Sequence, residues 1–326
     1  MKFEVRNMIS GYLSESGFVK IIDDLSFELM DGEILGISGE SGSGKTTLLY
    51  SIFNSLSYPG YILEGKVEID NRDMFKMTEE ELRKVRGEFI SFVPQGTQNS
   101  LNPVKKIIDQ FLDIIESHER EMNTEDLHRV LDIVHLGYDV LYRYPHEISG
   151  GMKQRVIIAM ALLYSPKIII MDEPTTGLDV LVQYEILKTI KEIQKKLSLS
   201  IIIVTHDISV LFQISDRVLV LYGGNIMEMG SYKALLTDAK HPYTKLLLDS
   251  IPTMSKSINK LNPIPGEPLN FSEKPKGCVF SARCPFVINE CRERRPILIE
   301  EDGTKYSCIR YPDWKKEAIN NARSRA

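Results

Sequence analysis

Apolar strands alternating with helical segments predict an α/β fold built on a parallel sheet, and three stretches of the chain carry that expectation. Residues 33–38 form a short apolar run bounded by Asp31-Gly32 and Gly39, the pattern of a buried strand. Behind a glycine-rich loop, Leu48, Leu49, Ile52, Phe53 and Leu56 recur at helical spacing. Residues 168–171 and 201–204 are strongly apolar runs separated by a helical segment through 184–195. Strands separated in this way by helices pair in parallel, and the helices cover both faces of the sheet.

The remaining punctuation divides the chain into three parts. Residues 1–95 read as strands followed by the glycine-rich loop and one helix, and residues 97–165 read as mainly helical, with apolar spacing in 107–115 and 127–136. Residues 218–221 and 226–229 flank Gly223-Gly224, a hairpin signal. Beyond about residue 235, Pro, Gly, Lys and Glu rise, periodicity fades and all four cysteines appear, which marks a C-terminal extension over 236–326.

Composition excludes several function classes. At 326 residues there is room for one large domain or two ordinary ones. Contents of 43% hydrophobic and 26% charged residues are globular and exclude wholesale disorder. A net charge of −5 without a block of Lys and Arg leaves no basic patch for nucleic acid, and no nucleic-acid partner is expected. The opening MKFEVRNMIS has no apolar core of a secretory signal. The longest apolar run, 156–164, stops at Ser165, Pro166 and Lys167, well short of the roughly 20 residues of a spanning helix. The expected chain is soluble and meets a membrane only through partners.

Gly39-Glu-Ser-Gly-Ser-Gly44-Lys45-Thr46 fits G-x-x-x-x-G-K-[ST] between a strand and a helix. Glycines let the backbone fold tightly enough for several N–H groups to face one anion, and the helix N-terminus adds partial positive charge. An ordinary flexible Gly/Ser loop is the bland reading, and the strand–loop–helix context disfavours it. Gly39, Ser41, Gly42, Ser43, Gly44, Lys45, Thr46 and Thr47 are the expected nucleotide contacts, with Lys45 on the β- and γ-phosphates and Thr46 on Mg²⁺. The strand over 168–171 runs into Asp172-Glu173, at the sheet edge where open α/β sheets bind ligands. Asp172 is the expected Mg²⁺ holder and Glu173 the residue that orients or deprotonates the attacking water.

These two elements suit many ATPases, GTPases and kinases. A third, Tyr144-Pro-His-Glu-Ile-Ser149-Gly150-Gly151-Met-Lys-Gln-Arg155, opens an apolar helix with Ser-Gly-Gly and resembles the signature of ABC ATPases. Ser149 caps the helix, and Gly150 and Gly151 bare backbone N–H groups to an anion. In order around it, Gln95 resembles the Q-loop glutamine, Thr176-Gly-Leu-Asp179 the D-loop, and His206 the switch histidine. Tyr12 is the candidate for stacking on adenine, against the plainer reading of a core aromatic. The resemblance implies a P-loop, RecA-like ABC ATPase domain over 1–235, with an N-terminal antiparallel β region and a helical signature subdomain at about 97–165. It further implies catalytic roles for Glu173, His206 and Gln95, Mg²⁺ contacts for Thr46, Gln95 and Asp172, and ATP gripped by Ser149, Gly150, Gly151 and Asp179 of an opposite subunit.

The resemblance narrows further. The Tyr-Pro-His-Glu stretch, Ser100-Leu-Asn-Pro103, His241-Pro-Tyr-Thr244, Ser250-Ile-Pro252, Ile264-Pro-Gly-Glu267 and Gly277-Cys-x5-Cys284-Pro285 are similar to the ATPases of oligopeptide/dipeptide importers. That family implies two transmembrane permeases, a second ATPase subunit (another copy or a related chain), an extracytoplasmic solute-binding protein and a place on the cytoplasmic face of the membrane. Gly96-Thr97 departs from the Asp-Pro that many members carry there, in a loop tied to subunit coupling. Paired motors or long coiled-coil inserts of non-transport ABC ATPases are not evident, and Asn259-Lys-Leu-Asn262 does not make the guanine-selecting Asn-Lys-x-Asp of a GTPase.

Cys278, Cys284, Cys291 and Cys308 lack the tight C-x2-C pairs usual in zinc ribbons. Four thiolates suffice for a [4Fe–4S] cluster, which the family resemblance implies; zinc or free thiols are the alternatives left by the ligand rules. Arg283, Arg292, Arg294 and Arg295 either offset an anionic cluster or form a solvated basic face.

Overall fold

A computed structural model describes residues 2–15, 17–96, 100–118, 121–251 and 264–323. Thr97, Pro252 and the Asn259-Lys-Leu-Asn262 stretch lie outside these residues. The chain opens with two long antiparallel strands, β1 (Phe3–Ser14) and β2 (Gly17–Leu29), and then a fully buried strand β3 (Ile34–Ser38) that feeds α1 (Lys45–Ile52). Next come β4 (Gly60–Ile69), β5 (Arg72–Asp73), α2 (Glu79–Glu88) and β6 (Ile90–Val93). Helices α3 (Ile107–Ser117), α4 (Thr124–Ile133) and α5 (Gly150–Leu162) follow. The pattern then alternates: β7 (Ile168–Asp172), α6 (Val180–Leu197), β8 (Ser200–Val204), α7 (Ile208–Ile214), and the hairpin β9 (Arg217–Tyr222) and β10 (Asn225–Ser231). The C-terminal part adds α8 (Tyr232–Asp238), α9 (Pro242–Asp249), α10 (Asn289–Glu293), β11 (Ile299–Glu301), β12 (Thr304–Tyr306) and α11 (Asp313–Arg323).

Two sheets result. One has four strands in the order β2-β1-β4-β5; the other has eight in the order β11-β12-β10-β9-β3-β8-β7-β6. In the larger sheet, β9, β3, β8, β7 and β6 run parallel, while β10, β12 and β11 continue it antiparallel. The parallel strands read as unbroken apolar runs because both faces are covered. Ile169, Ile201 and Ile203 enter one core with α3 to α6, whereas Ile168, Ile170 and Ile202 enter another with α1 and the four-stranded sheet. The alternation of side chains along a strand makes one sheet serve two cores.

Two expectations need correction. The first 95 residues hold a second helix, α2, whose only buried residue is Leu82. With so little apolar periodicity, its sequence signal is the capping box, in which Thr78 and Glu81 bond each other's backbone N–H. The region after residue 235 is not aperiodic either, since α8 and α9 follow one another there. The extension packs onto the main sheet: β12 pairs with β10, and Tyr243, Leu247 and Phe280 belong to the same apolar cluster as Ile169.

Candidate functional site

The glycine-rich loop leaves the C-terminal end of β3, an interior parallel strand, and turns into α1. Gly39 must be glycine because a Cβ there would stand 2.2 Å from the Leu221 carbonyl oxygen of β9. Gly44 closes the loop at φ 103°, in the left-handed region that glycine enters without strain. Lys45, 6% exposed, folds back into the loop, its Nζ donating to the carbonyls of Gly39 and Glu40 at 2.8 Å each. Burial lowers its pKa, partly countered by the charges of Glu173, Asp172 and Glu40. The ammonium is thus held inside the cradle by neutral carbonyls, which a phosphate could replace as the partner. Thr46 is exposed beside it, and the Tyr12 hydroxyl lies 3.3 Å from that of Thr47, so β1 brings an aromatic to the first turn of α1.

Asp172 ends β7 and is 1% exposed. Neither of its oxygens has a hydrogen bond of ordinary geometry among the described residues. Burial raises its pKa, and the adjacent Thr46 hydroxyl and Lys45 ammonium only partly offset this. A buried carboxylate without donors is costly, and a divalent cation shared with Thr46 would satisfy it. The loop and this carboxylate therefore fit a Mg²⁺-nucleotide.

Glu173 follows in the left-handed region at φ 47°, fixed by its N–H donating to the Val204 carbonyl at 2.9 Å. A non-glycine residue held there costs of order 1–3 kcal/mol, and such strain clusters at functional sites. The kink turns the Glu173 side chain toward three partners. His206 Nδ1 lies 3.0 Å from Oε1, while Gln95 Nε2 and Thr176 Oγ1 donate to Oε2 at 3.0 and 2.9 Å. Burial pushes its pKa up, but the His206 and Thr176 hydrogen bonds and the Lys45 charge outweigh it, and the net shift is downward. An ionised carboxylate held so can order or accept a proton from water.

Sequence reasoning thus named residues that the fold collects from four strand ends: Lys45 and Thr46 after β3, Gln95 after β6, Asp172 and Glu173 at β7, and His206 after β8. The Ser149 turn stands apart, and no hydrogen bond or ion pair among the described residues joins it to Lys45. Ser149 caps α5 by accepting from the Met152 N–H at 3.3 Å and is otherwise exposed. Gly151 packs against Val182 of α6, leaving no room for a side chain. Asp179 caps α6 through the N–H groups of Leu181 and Val182. An exposed, capped helix N-terminus of this kind can present backbone N–H groups to an anion.

Cys278, Cys284, Cys291 and Cys308 are unpaired and line one pocket together with His241. Burial pushes the thiols up, Cys278 to about 12 and Cys284 and Cys308 to about 11, so they stay protonated unless a cationic group compensates. No set of three or more His, Cys, Asp or Glu among the described residues is arranged to hold a single metal ion. The neighbouring arginines divide between the two readings, and their ion pairs are to carboxylates rather than to the cysteines. Arg283 is buried and pairs with Glu40, Arg295 pairs with Asp23, Arg294 pairs with Glu290, and Arg292 is exposed. Glu40, Tyr243 and Arg283 are functional-site neighbours that sequence reasoning missed, because the phosphate-loop pattern leaves the Glu40 position open.

A lysine inside a glycine cradle, facing two carboxylates at the next strand end but one, defines a P-loop nucleoside triphosphatase. The chain belongs to the ABC transporter ATP-binding proteins, in the group with the oligopeptide/dipeptide transporter C-terminal region. The ABC transporter family model matches residues 22–176, and that C-terminal region matches residues 227–291. The chain is similar to the dipeptide transport ATP-binding protein DppD of Caldanaerobacter subterraneus subsp. tengcongensis, 39% identical across 95% of this chain and 97% of that one. It is similar to the oligopeptide transport ATP-binding protein OppD of Bacillus subtilis, 37% identical across 96% of this chain and 90% of the other. Among solved structures, the dimeric bacterial ABC transporter cassette MJ0796 is similar at a TM-score of 0.62 and 29% identity, covering 70% of this chain and 98% of that one. Membership makes the chain an ATPase of the transport-coupled class that uses ATP and Mg²⁺. No helix among the described residues is long and apolar enough to cross a membrane.

Proposed function

We propose that this chain is the ATP-hydrolysing motor subunit of an importer for dipeptides or oligopeptides, working at the cytoplasmic face of the membrane. The observation that carries the substrate class is the peptide-transporter C-terminal region at residues 227–291, in a chain aligned over nearly its whole length with dipeptide and oligopeptide transport proteins. Residues 1–235 form the motor and 236–326 its extension in this reading. The partners are two permeases, a second ATPase subunit and an extracytoplasmic solute-binding protein.

In the catalytic cycle the Gly39–Lys45 loop, with Ser41, Gly42, Ser43 and Thr47, wraps the phosphates, and Tyr12 stacks on the base. Thr46, Asp172 and Gln95 hold Mg²⁺, which supplies charge neutralisation on the phosphates. Glu173 accepts the proton of the attacking water, and His206 holds that carboxylate and the γ-phosphate in register. Ser149, Gly150, Gly151 and Asp179 of the second subunit close the site, so hydrolysis waits on dimerisation. The region around Gln95 passes the motion of the cycle to the permeases. The four cysteines would supply the ligands of a [4Fe–4S] cluster. That all four cysteines line one pocket supports that assignment, and iron and acid-labile sulfide assays of anaerobically purified protein test it.

The test of function is reconstitution with both permeases, the second ATPase and the binding protein in vesicles. ATP-dependent accumulation of labelled peptide with peptide-stimulated phosphate release is expected. Accumulation of nickel or oligosaccharide without peptide would overturn the substrate class.

A further inference from the structure

Arg283 sits in the cysteine-bearing segment, directly before Cys284, yet it is 8% exposed and reaches away from the thiols. Its Nη1 and Nη2 donate to the two oxygens of Glu40, the second at 3.0 Å, and Nη1 also reaches the Tyr222 hydroxyl at 3.3 Å. The same guanidinium donates from Nε to the Pro265 carbonyl at 2.7 Å and from Nη2 to that of Ile264 at 3.2 Å. Glu40 is the second residue of the phosphate loop, and its backbone is held as well as its side chain. Its N–H donates to the Tyr243 hydroxyl at 3.0 Å, and its carbonyl accepts Lys45 Nζ at 2.8 Å. Tyr243 lies on α9 and is fully buried.

We propose that Arg283 and Tyr243 of the C-terminal extension are positioning residues for the phosphate loop. They act through Glu40 to set the Lys45 ammonium for nucleotide. A bidentate guanidinium–carboxylate pair fixes orientation as well as distance, and a loop rich in glycine has little stiffness of its own. The Glu40 peptide, pinned on both sides, supplies one of the two carbonyls that hold Lys45. Because Arg283 adjoins Cys284, the cysteine pocket and the phosphate loop share one short path of covalent and hydrogen bonds. Nucleotide affinity therefore depends on a segment that never touches nucleotide. The inference rests on reading residues 39–46 as the nucleotide loop.

The experiment is titration of the full-length chain with MgADP and a fluorescent ATP analogue, with turnover measured in the assembled transporter. Arg283→Gln is expected to raise Kd and KM about tenfold, within the span of one charge-assisted pair, while saturated kcat changes less than about twofold. Arg283→Lys, which keeps the charge but not the fork, recovers part of the affinity. The double variant Arg283→Gln/Glu40→Gln is no weaker than the worse single one, as coupled partners require. Should Arg283→Gln not fold, Tyr243→Phe, which deletes only the hydroxyl on the Glu40 N–H, is expected to raise Kd about threefold. Binding within twofold of wild type in whichever of these variants folds, or additive losses in the double variant, overturns the proposal. Lys45→Ala separates the two readings. Normal binding there defeats the nucleotide-loop assignment itself, whereas lost binding there beside an unaffected Arg283→Gln defeats only the positioning role.

Discussion

His206 Nδ1 and Glu173 Oε1 stand 3.0 Å apart with nothing between them, and Gln95 and Thr176 occupy the other carboxylate oxygen. The Glu173 carboxylate just past β7 is therefore restrained from three loops. His206→Ala is expected to lower kcat of the assembled transporter by about 10²–10³, the usual cost of removing one stabilising donor from a preorganised site. Nucleotide affinity should stay within a few-fold, since the imidazole does not hold the phosphate loop. Equal losses in affinity and turnover, measured by equilibrium titration and steady-state phosphate release, would place His206 in binding rather than catalysis.

Lys45 is satisfied by two loop carbonyls, and removing it leaves a cradle without its charge. Lys45→Ala is expected to weaken nucleotide binding about a hundredfold or more, the scale of charged hydrogen bonds to phosphate. Calorimetric titration with MgATP checks this, and retained nanomolar affinity contradicts it.

The candidate ATP-site residues were legible because their chemistry is bound to spacing: Gly39 to Thr46, Asp172 with Glu173, and Ser149 with its glycines each form a pattern within a few residues. The strands β7 and β8 were legible because burial on both faces makes 168–171 and 201–204 unbroken apolar runs. Helix α2 was not, since it hides one leucine behind an acidic first turn. Strands β11 and β12 span three residues each, too few for periodicity to register. The Arg283–Glu40 pair joins positions 243 residues apart, and no local pattern encodes such a partner. Arg283 read either as a counter-charge to the cysteines or as part of a solvated basic face; its burial is a property of the docked extension.

The extension is also tied down at Asp23 of β2, whose carboxylate meets Lys274 at 3.2 Å and Arg295 at 3.1 Å. Burial pushes the Asp23 pKa up, but Lys274 and Arg295 outweigh it and hold it below the ordinary carboxylate range. A depressed acid stabilises the fold above its unfolded-state pKa and loses that contribution as pH falls through the folded value. Asp23→Asn should therefore cost about 1 kcal/mol at pH 7, and the gap to wild type should close on acidification below the ordinary carboxylate range. Urea melts of both proteins across that window check the sign; a gap that widens in acid contradicts it.

Ser149 caps α5 and is exposed, and the proposed function has it act across a dimer. With MgATP and its partner ATPase, slow-turnover protein should sediment or scatter as a dimer, and Ser149→Arg should abolish that dimer while leaving monomer affinity within about twofold, because the substituted residue lies outside the monomer's phosphate loop. An ATPase that stays active as a strict monomer would be incompatible with that arrangement.

The most direct measurement of the whole account is ATP turnover by the assembled transporter carrying Glu173→Gln. A positioned base contributes about 10²–10⁴ in rate, so hydrolysis should fall by that span while MgATP stays bound and the dimer closed. Near-normal phosphate release from that variant would contradict the account at its centre.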